Sequence, residues 1–285
     1  MFFASRKPPA AASAKTLLLS RRKAPDGVVR RIRQSLVDAF FPPRCAGCER
    51  FGEELFCYAC APKLQKIPAP FCACCGAPFD PLAFSAEICA VCRLRPPHYV
   101  AARSAFVFEG PMRTAIHDFK YRRFFDDARR LAPLLAREIR GDPTFQKQRF
   151  DFLVPVPLHR QRERARGFNQ SVLLARALSE QCEIPALEAL IRTQKTAPQV
   201  GLNAQQRRQN VRGAITVSPQ TAPETLRGAR VLLVDDVFTT GATMDECAKI
   251  LRRAQVAEVF ALTLARQLAP DEKGFAQMAL HEAWI

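Results

Sequence analysis

The sequence predicts an α/β protein, a mostly parallel sheet with helices on both faces, preceded by a compact cysteine-rich module. Three observations carry this. From about residue 103 onward, short apolar strand-like runs alternate with helix-like segments, the pattern of βαβ units. One such run, Val231 to Val234, ends in Asp235 and Asp236 and leads into Thr239-Thr240-Gly241-Ala242-Thr243 and a helical segment. Nine of the eleven cysteines lie between Cys45 and Cys92.

A chain of 285 residues accommodates two domains. Residues 1–25, rich in Ala, Pro, Ser, Lys and Arg, read as a disordered basic arm; a transit peptide or a misassigned start codon are the alternatives. Residues 26–42 read as an amphipathic helix. Val28, Val29, Ile32, Leu36 and Phe40 fall at helical spacing, and Pro42-Pro43 ends the pattern. Packing on the next domain is favoured for it over binding a membrane or nucleic acid. Residues 43–98 form the cysteine module, and residues 99–285 the α/β domain. Within the latter, strands are expected at 103–108, 150–156, 230–236 and 257–265. Helices are expected at 111–121, 126–140, 167–180 and 241–254, and residues 192–212 read as a long polar loop with some helix.

The formal charge is +16, from 43 basic and 27 acidic residues, which favours polyanionic partners such as nucleic acid or a polyphosphate. No run reaches the roughly 18 apolar residues of a spanning helix, and Leu17-Leu18-Leu19 is too short for a signal peptide. The expected location is the cytoplasm.

In a cytoplasmic chain, repeated C-x-x-C spacing points to zinc. Cys45, Cys48, Cys57 and Cys60 make two knuckles, and Cys72, Cys75, Cys89 and Cys92 make two more. Each knuckle turns two thiolates toward one tetrahedral ion, so eight ligands imply two structural zinc ions. A redox switch or an iron–sulfur cluster is disfavoured by the regular doublets. Sequential and interleaved pairing of the knuckles both remain open. Cys74 is an extra cysteine that competes with Cys75 as ligand. Cys182 and Cys247 read as core residues.

The run from Val231 to Thr243 is a strand, a phosphate-sized loop and a helix N-terminus. Exposed amides at a helix start make an anion site, and Gly241 permits close backbone approach. The acceptor-only aspartates suit sugar hydroxyls or a ligand-bound metal. The implied ligand is a phosphorylated ribose. A second polar cluster, Pro155 to Gln170, places Arg160, Arg162, Arg164 and Arg166 in seven residues before Gly167, Phe168 and Asn169. Arginine forks bind phosphate oxygens, and Gly167 and Asn169 suit a tight turn into a helix. Both clusters follow strand ends, where an open α/β sheet binds ligands, so they can clamp two phosphates of one molecule. The stretch Arg192 to Gly213 suits a mobile lid or a solvated basic loop.

The thirteen residues Val231–Thr243 resemble the phosphoribosyl pyrophosphate (PRPP) signature of type I phosphoribosyltransferases. By that resemblance Asp235 and Asp236 contact the ribose, and Thr239, Thr240, Gly241, Ala242 and Thr243 hold its 5′-phosphate. With the doubled knuckles, the P-V-P-L…R-G-F-N-Q segment and the R-x-x-N-V-R-G-A segment, residues 27–265 resemble the ComF family. The fold class this implies is a small N-terminal zinc-ribbon module with four-cysteine sites. A type I phosphoribosyltransferase-like, mostly parallel sheet with helices on both faces follows it. The implied role is in competence, the uptake of transforming DNA. Mg2+ would accompany PRPP, with Arg160, Arg162, Arg164, Arg166, Gly167 and Asn169 as candidates for its pyrophosphate. No general base stands out; Lys195 and His159 are the nearest candidates. The competing readings are a PRPP-responsive protein that binds single-stranded DNA, for which Phe119 to Phe125 interleaves aromatics with cations, and an adaptor of the uptake machinery.

Overall fold

The computed structural model describes residues 42–79, 87–121, 127–194, 204–270, 272–274 and 276. The basic arm, the amphipathic segment as far as residue 41, Arg122–Phe125 and Lys195 lie outside the described residues.

The centre is a four-stranded parallel sheet in the order β1 (Ala101–Val107), β6 (Glu258–Arg266), β5 (Arg230–Phe238), β2 (Phe152–Pro155). Successive residues of a strand point to opposite faces. Leu232 and Val234 therefore enter one apolar cluster, and Val231 and Leu233 the other. On β6, Phe260 and Leu262 join the first, and Val259 and Ala261 the second. The first face is covered by α2 (Gly110–Tyr121), α3 (Asp127–Gly141) and α6 (Gln170–Cys182). The second is covered by α9 (Ala242–Arg253) and by an antiparallel hairpin of β3 (Leu190–Arg192) and β4 (Ile215–Val217). Near-continuous apolar strands are what a parallel sheet buried on both faces requires.

The β3–β4 pair and the helix over the arginine cluster differ from the expected pattern, while the helix expected within 192–212 is present. The stretch 192–212 begins as the end of β3, and its far end carries α7 (Ala204–Val211). Strands of three residues are too short to show an alternation. The arginine cluster, for which no helix is expected from the sequence, is the helix α5 (Arg160–Arg166), closed by Gly167 at φ 92°. The remaining short helices are α1 (Ala90–Leu94), α4 (Pro143–Gln146) and α8 (Pro223–Leu226). Among the described residues no helix is long and apolar enough to cross a membrane.

The cysteine module is not a separate bead. Cys45, Phe56 and Cys60 belong to the first apolar cluster, and Cys72, Cys75, Ala77 and Cys92 to the second. The two ribbons thus straddle the outer edge of β1. That edge is paired: the Ala102 amide donates to Cys74 O and the Val107 amide to Gln65 O, both at 2.7 Å. Covering an edge strand in this way removes its unpaired polar groups. Guanidinium groups complete the attachment. Arg130 of α3 donates to Arg44 O at 2.9 Å and Glu54 O at 3.0 Å. Arg103 of β1 donates to Ala73 O at 3.0 Å and is ion-paired with Asp142 at 2.8 Å.

Gly76 marks a close contact between ribbon and sheet. It has φ +70°, and a Cβ there would lie 2.7 Å from the Ala102 carbonyl oxygen. Gly228 has φ +72° with open space around it. Left-handed strain alone costs about 1–2 kcal/mol, so Gly228→Ala is expected to lose about that much in urea unfolding. Gly76→Ala adds a backbone collision and is expected to lose about 3 kcal/mol or more. Equal losses would mean that the knuckle is not pressed against β1.

Candidate functional site

The two ribbons are one local design used twice. In each, the first cysteine amide donates to the carbonyl five residues on: Cys45 to Arg50, and Cys72 to Ala77, both at 2.8 Å. The fourth residue after that cysteine is left-handed in both, Glu49 at φ 61° and Gly76 at φ 70°. The Cys45 sulfur accepts the Gly47 and Cys57 amides at 3.4 and 3.3 Å, and the Cys72 sulfur accepts those of Cys75 and Cys89 at 3.4 and 3.3 Å.

Sulfur placement settles the pairing as sequential. The four sulfurs of Cys45, Cys48, Cys57 and Cys60 lie within 4.8 Å of one another, as do those of Cys72, Cys75, Cys89 and Cys92. A tetrahedral zinc with bonds of about 2.3 Å needs sulfurs about 3.8 Å apart. Cys48 to Cys57 is 3.6 Å and Cys75 to Cys89 is 3.8 Å. Both sets therefore fit structural zinc with no position left open. Electrostatics agree. Burial pushes the Cys45 thiol up, and the amides of Cys57, Gly47 and Cys48 outweigh it and bring it down to about 6. Burial and the neighbouring sulfurs push Cys60 up to about 12. Thiols packed this closely ionise together only around a cation. Cys74 is outside the set; its backbone serves the β1 edge instead.

The second site is a cleft at the carboxyl ends of β2 and β5, enclosing about 200 Å3. Strand β5 runs on to Phe238, so Asp235 and Asp236 lie within it and their side chains diverge. Asp235 Oδ1 accepts from Ser171 Oγ at 2.6 Å and from the Asp236 amide at 2.9 Å. Asp236 Oδ1 pairs with Lys120 Nζ at 2.9 Å. Asp236 is 4% exposed, and its Oδ2 is buried with no hydrogen-bond partner. Burial, and then the Asp236 carboxylate, push Asp235 up to about 7.

Thr239, Gly241, Ala242 and Thr243 line the same cleft. Thr240 does not, and its Oγ1 is buried without a partner. Gly241 is the left-handed N-cap of α9 at φ 73°, and a Cβ would meet Phe238 Cζ at 2.7 Å. The expected arginine cluster divides by helical period. Arg162 and Arg166, four apart on α5, line the cleft; Arg160 lines a neighbouring groove with His159, and Arg164 is exposed. Gly167 makes the turn. Asn169 caps α6, its Oδ1 accepting from Ser171 N at 3.0 Å and its Nδ2 donating to Val156 O at 3.1 Å.

Among the polar lining residues, Lys120, Gln170 and Ser171 carry no site assignment in the sequence reading, and Arg192 enters it only as the start of a possible lid. Lys120 lay in an aromatic-basic stretch that resembles any core helix with a polar face. Ser171 directly follows the flagged R-G-F-N-Q segment, which was its signal. Arg192, 7% exposed, opened the stretch read as a loop.

Residues 36–93 match the double zinc ribbon domain family, and residues 169–274 match the phosphoribosyl transferase domain family. The chain is 33% identical over 232 residues to Competence protein F of Haemophilus influenzae, spanning 80% of this chain and 98% of that protein. It is 33% identical over 215 residues to DNA utilization protein YhgH of Escherichia coli K12, spanning 74% and 90%. It is 31% identical over 226 residues to Competence protein ComFC of Bacillus subtilis, spanning 75% and 85%.

The raised Asp235 group has a consequence for stability. Below about pH 4 it is neutral both folded and unfolded. Between there and about 7 the folded state holds the proton longer, so this group's contribution to stability falls as pH rises, and the loss is complete above about 7. Asp235→Asn keeps both acceptor contacts on Oδ1 and removes the buried charge. It is expected to raise the thermal midpoint by about 5 °C at pH 8 and by much less at pH 5. A variant equally or less stable at pH 8 would contradict the burial argument.

Proposed function

The chain belongs to the ComF family, and from that membership we propose that it binds PRPP with Mg2+ in this cleft and acts in the uptake and handling of DNA. The carrying observation is the polarity of the cleft. Carboxylates, one with a buried unpartnered oxygen, stand at the sheet end. The Thr239–Thr243 loop at the start of α9 and the Arg162–Arg166 face of α5 stand beside them. Acceptors suit ribose hydroxyls, and donors with helix-start amides suit the 5′-phosphate and pyrophosphate. Turnover would form a bond from an acceptor to the ribose C1 and break the C1–oxygen bond to pyrophosphate, which leaves. Mg2+, when bound, would offset charge on the pyrophosphate. Asp235 and Asp236 would orient the sugar, and Lys120 would release Asp236 to it.

A second reading, single-stranded DNA binding, is favoured by a surface on the first ribbon. Phe51 is 62% exposed and Tyr58 81%. The Arg44 guanidinium lies 4.3 Å from the Phe51 ring centre, and that of Arg50 lies 5.6 Å from the Tyr58 ring centre. Exposed aromatics beside cations are what base stacking uses. Phe119 is fully buried in the core, as a core helix requires, and offers no stacking surface. An adaptor of the uptake machinery is the reading that would survive loss of both ligands.

Calorimetric titration with PRPP and Mg2+ tests the first reading. Wild type is expected to bind, and Asp235→Asn/Asp236→Asn to show no heat. Arg162→Ala/Arg166→Ala is expected to weaken PRPP by about tenfold or more while leaving ribose 5-phosphate within about twofold. Arg160→Ala/Arg164→Ala is expected to change neither. No binding to folded, zinc-loaded wild type would sink the reading.

The DNA surface has its own test. Phe51→Ala/Tyr58→Ala is expected to lower affinity for a single-stranded oligothymidylate by about tenfold with PRPP binding intact. An unchanged affinity would remove this surface from consideration.

A further inference from the structure

The second ribbon and the phosphate loop are joined by buried side chains, of which Phe238 also lines the cleft. Three successive carbonyls of the Cys72–Cys75 knuckle accept hydrogen bonds from the sheet. Ala73 O takes Arg103 Nη1 at 3.0 Å, Cys74 O the Ala102 amide at 2.7 Å, and Cys75 O takes Arg266 Nη1 at 3.0 Å. Arg266 ends β6 and is 5% exposed. Its Nη2 donates to Glu272 Oε1 at 3.0 Å, and its guanidinium lies 4.7 Å from the Phe238 ring centre.

Phe238 is the floor of the phosphate loop. It meets Tyr99 edge to face at 6.4 Å, and the space above it is so close that only glycine fits at Gly241. The segment leaving the ribbon also reaches the start of α9. The His98 amide and Nδ1 contact Asp245 Oδ1, in the first turn of α9, at 2.7 and 2.8 Å. A shift of the Cys75 carbonyl therefore moves Arg266. Arg266 moves the ring under Gly241, and a close-packed interior has no slack to absorb the change.

We propose that Arg266 is a positioning residue coupling the second zinc site to the phosphate loop, so that zinc occupancy there and sugar-phosphate binding strengthen each other. This rests on the phosphoribosyl reading of the cleft. We assign no such coupling to the first ribbon, which is attached to the opposite face through Arg130. Coupling between two sites is reciprocal, so whatever factor zinc contributes to ligand affinity the ligand returns to zinc retention.

The experiment follows zinc release from the full-length, zinc-loaded protein to a colorimetric chelator, with and without saturating ribose 5-phosphate and no Mg2+. Two phases are expected, one slowed about tenfold by ribose 5-phosphate and the other unchanged. Cys48→Ser is expected to delete the unprotected phase, assigning the protected one to the second ribbon. Arg266→Lys is expected to keep two zinc ions per chain, to bind ribose 5-phosphate about tenfold more weakly, and to lose the protection. A merely structural role would not link these last two readouts. His98→Ala, at an exposed position, is expected to weaken ribose 5-phosphate in the same direction, and serves should Arg266→Lys fail to fold. If wild type binds ribose 5-phosphate but neither phase slows, or if both variants bind it as tightly as wild type, the coupling is refuted and the phosphoribosyl reading stands. If wild type binds no ribose 5-phosphate, both fall.

Discussion

Double-sided burial of β5 is the constraint from which the rest follows. A central parallel strand must be apolar on both faces, and Val231 through Val234 are each fully buried. The cover of helices ends where the strand's carboxyl end emerges, and only there can the alternation carry charge. Asp235 and Asp236 occupy that point. One side chain meets Ser171 at the start of α6, and the other meets Lys120 at the end of α2. The position of the cleft, the divergence of its two carboxylates and the identity of their partners are all consequences of where the cover stops.

The same sheet explains why a small cysteine module can be ordered. A segment of about fifty residues buries too little surface alone, and metal is the usual remedy. Here metal-sized sulfur clusters are combined with a borrowed core, since each ribbon adds its cysteines to one of the sheet's two apolar clusters. Guanidinium groups do the joining: Arg103, Arg130 and Arg266 all donate to ribbon backbone carbonyls. Part of the positive charge that points to polyanionic partners is therefore spent internally, on carbonyls that would otherwise be unsatisfied.

The sequence made legible what depends on local pattern. The buried strands, the knuckles and the loop after the acid pair all follow from residues adjacent in the chain. Relations set by tertiary packing were not legible. Four arginines at alternate positions resemble a solvated loop, and only a helix separates Arg162 and Arg166 from Arg160 and Arg164. Strands β3 and β4 are three residues each, held by pairing with each other across more than twenty residues of chain. Lys120 reaches the acid pair because α2 lies across the sheet, which no spacing in the sequence encodes. Knuckle pairing likewise required knowing that each ribbon folds on itself and then docks on its own face.

The acid pair is asymmetric, and the asymmetry bears on how a ligand would enter. Asp235 satisfies one oxygen twice, and burial, followed by the Asp236 carboxylate beside it, pushes it well above the usual carboxylate range. Asp236 has one oxygen on Lys120 and the other buried with nothing to accept from. Leaving such a group unpaired costs about 1–3 kcal/mol in the unliganded protein. A sugar hydroxyl that reaches it recovers that penalty on arrival, whereas water in a better-solvated site would have had to be displaced. The unpartnered oxygen thus stands beside the Thr239–Thr243 loop at the start of α9. On the proposed phosphoribosyl reading, a ligand carrying both a sugar hydroxyl and a phosphate would gain from both ends, and one carrying only a phosphate or only a diol would gain from one.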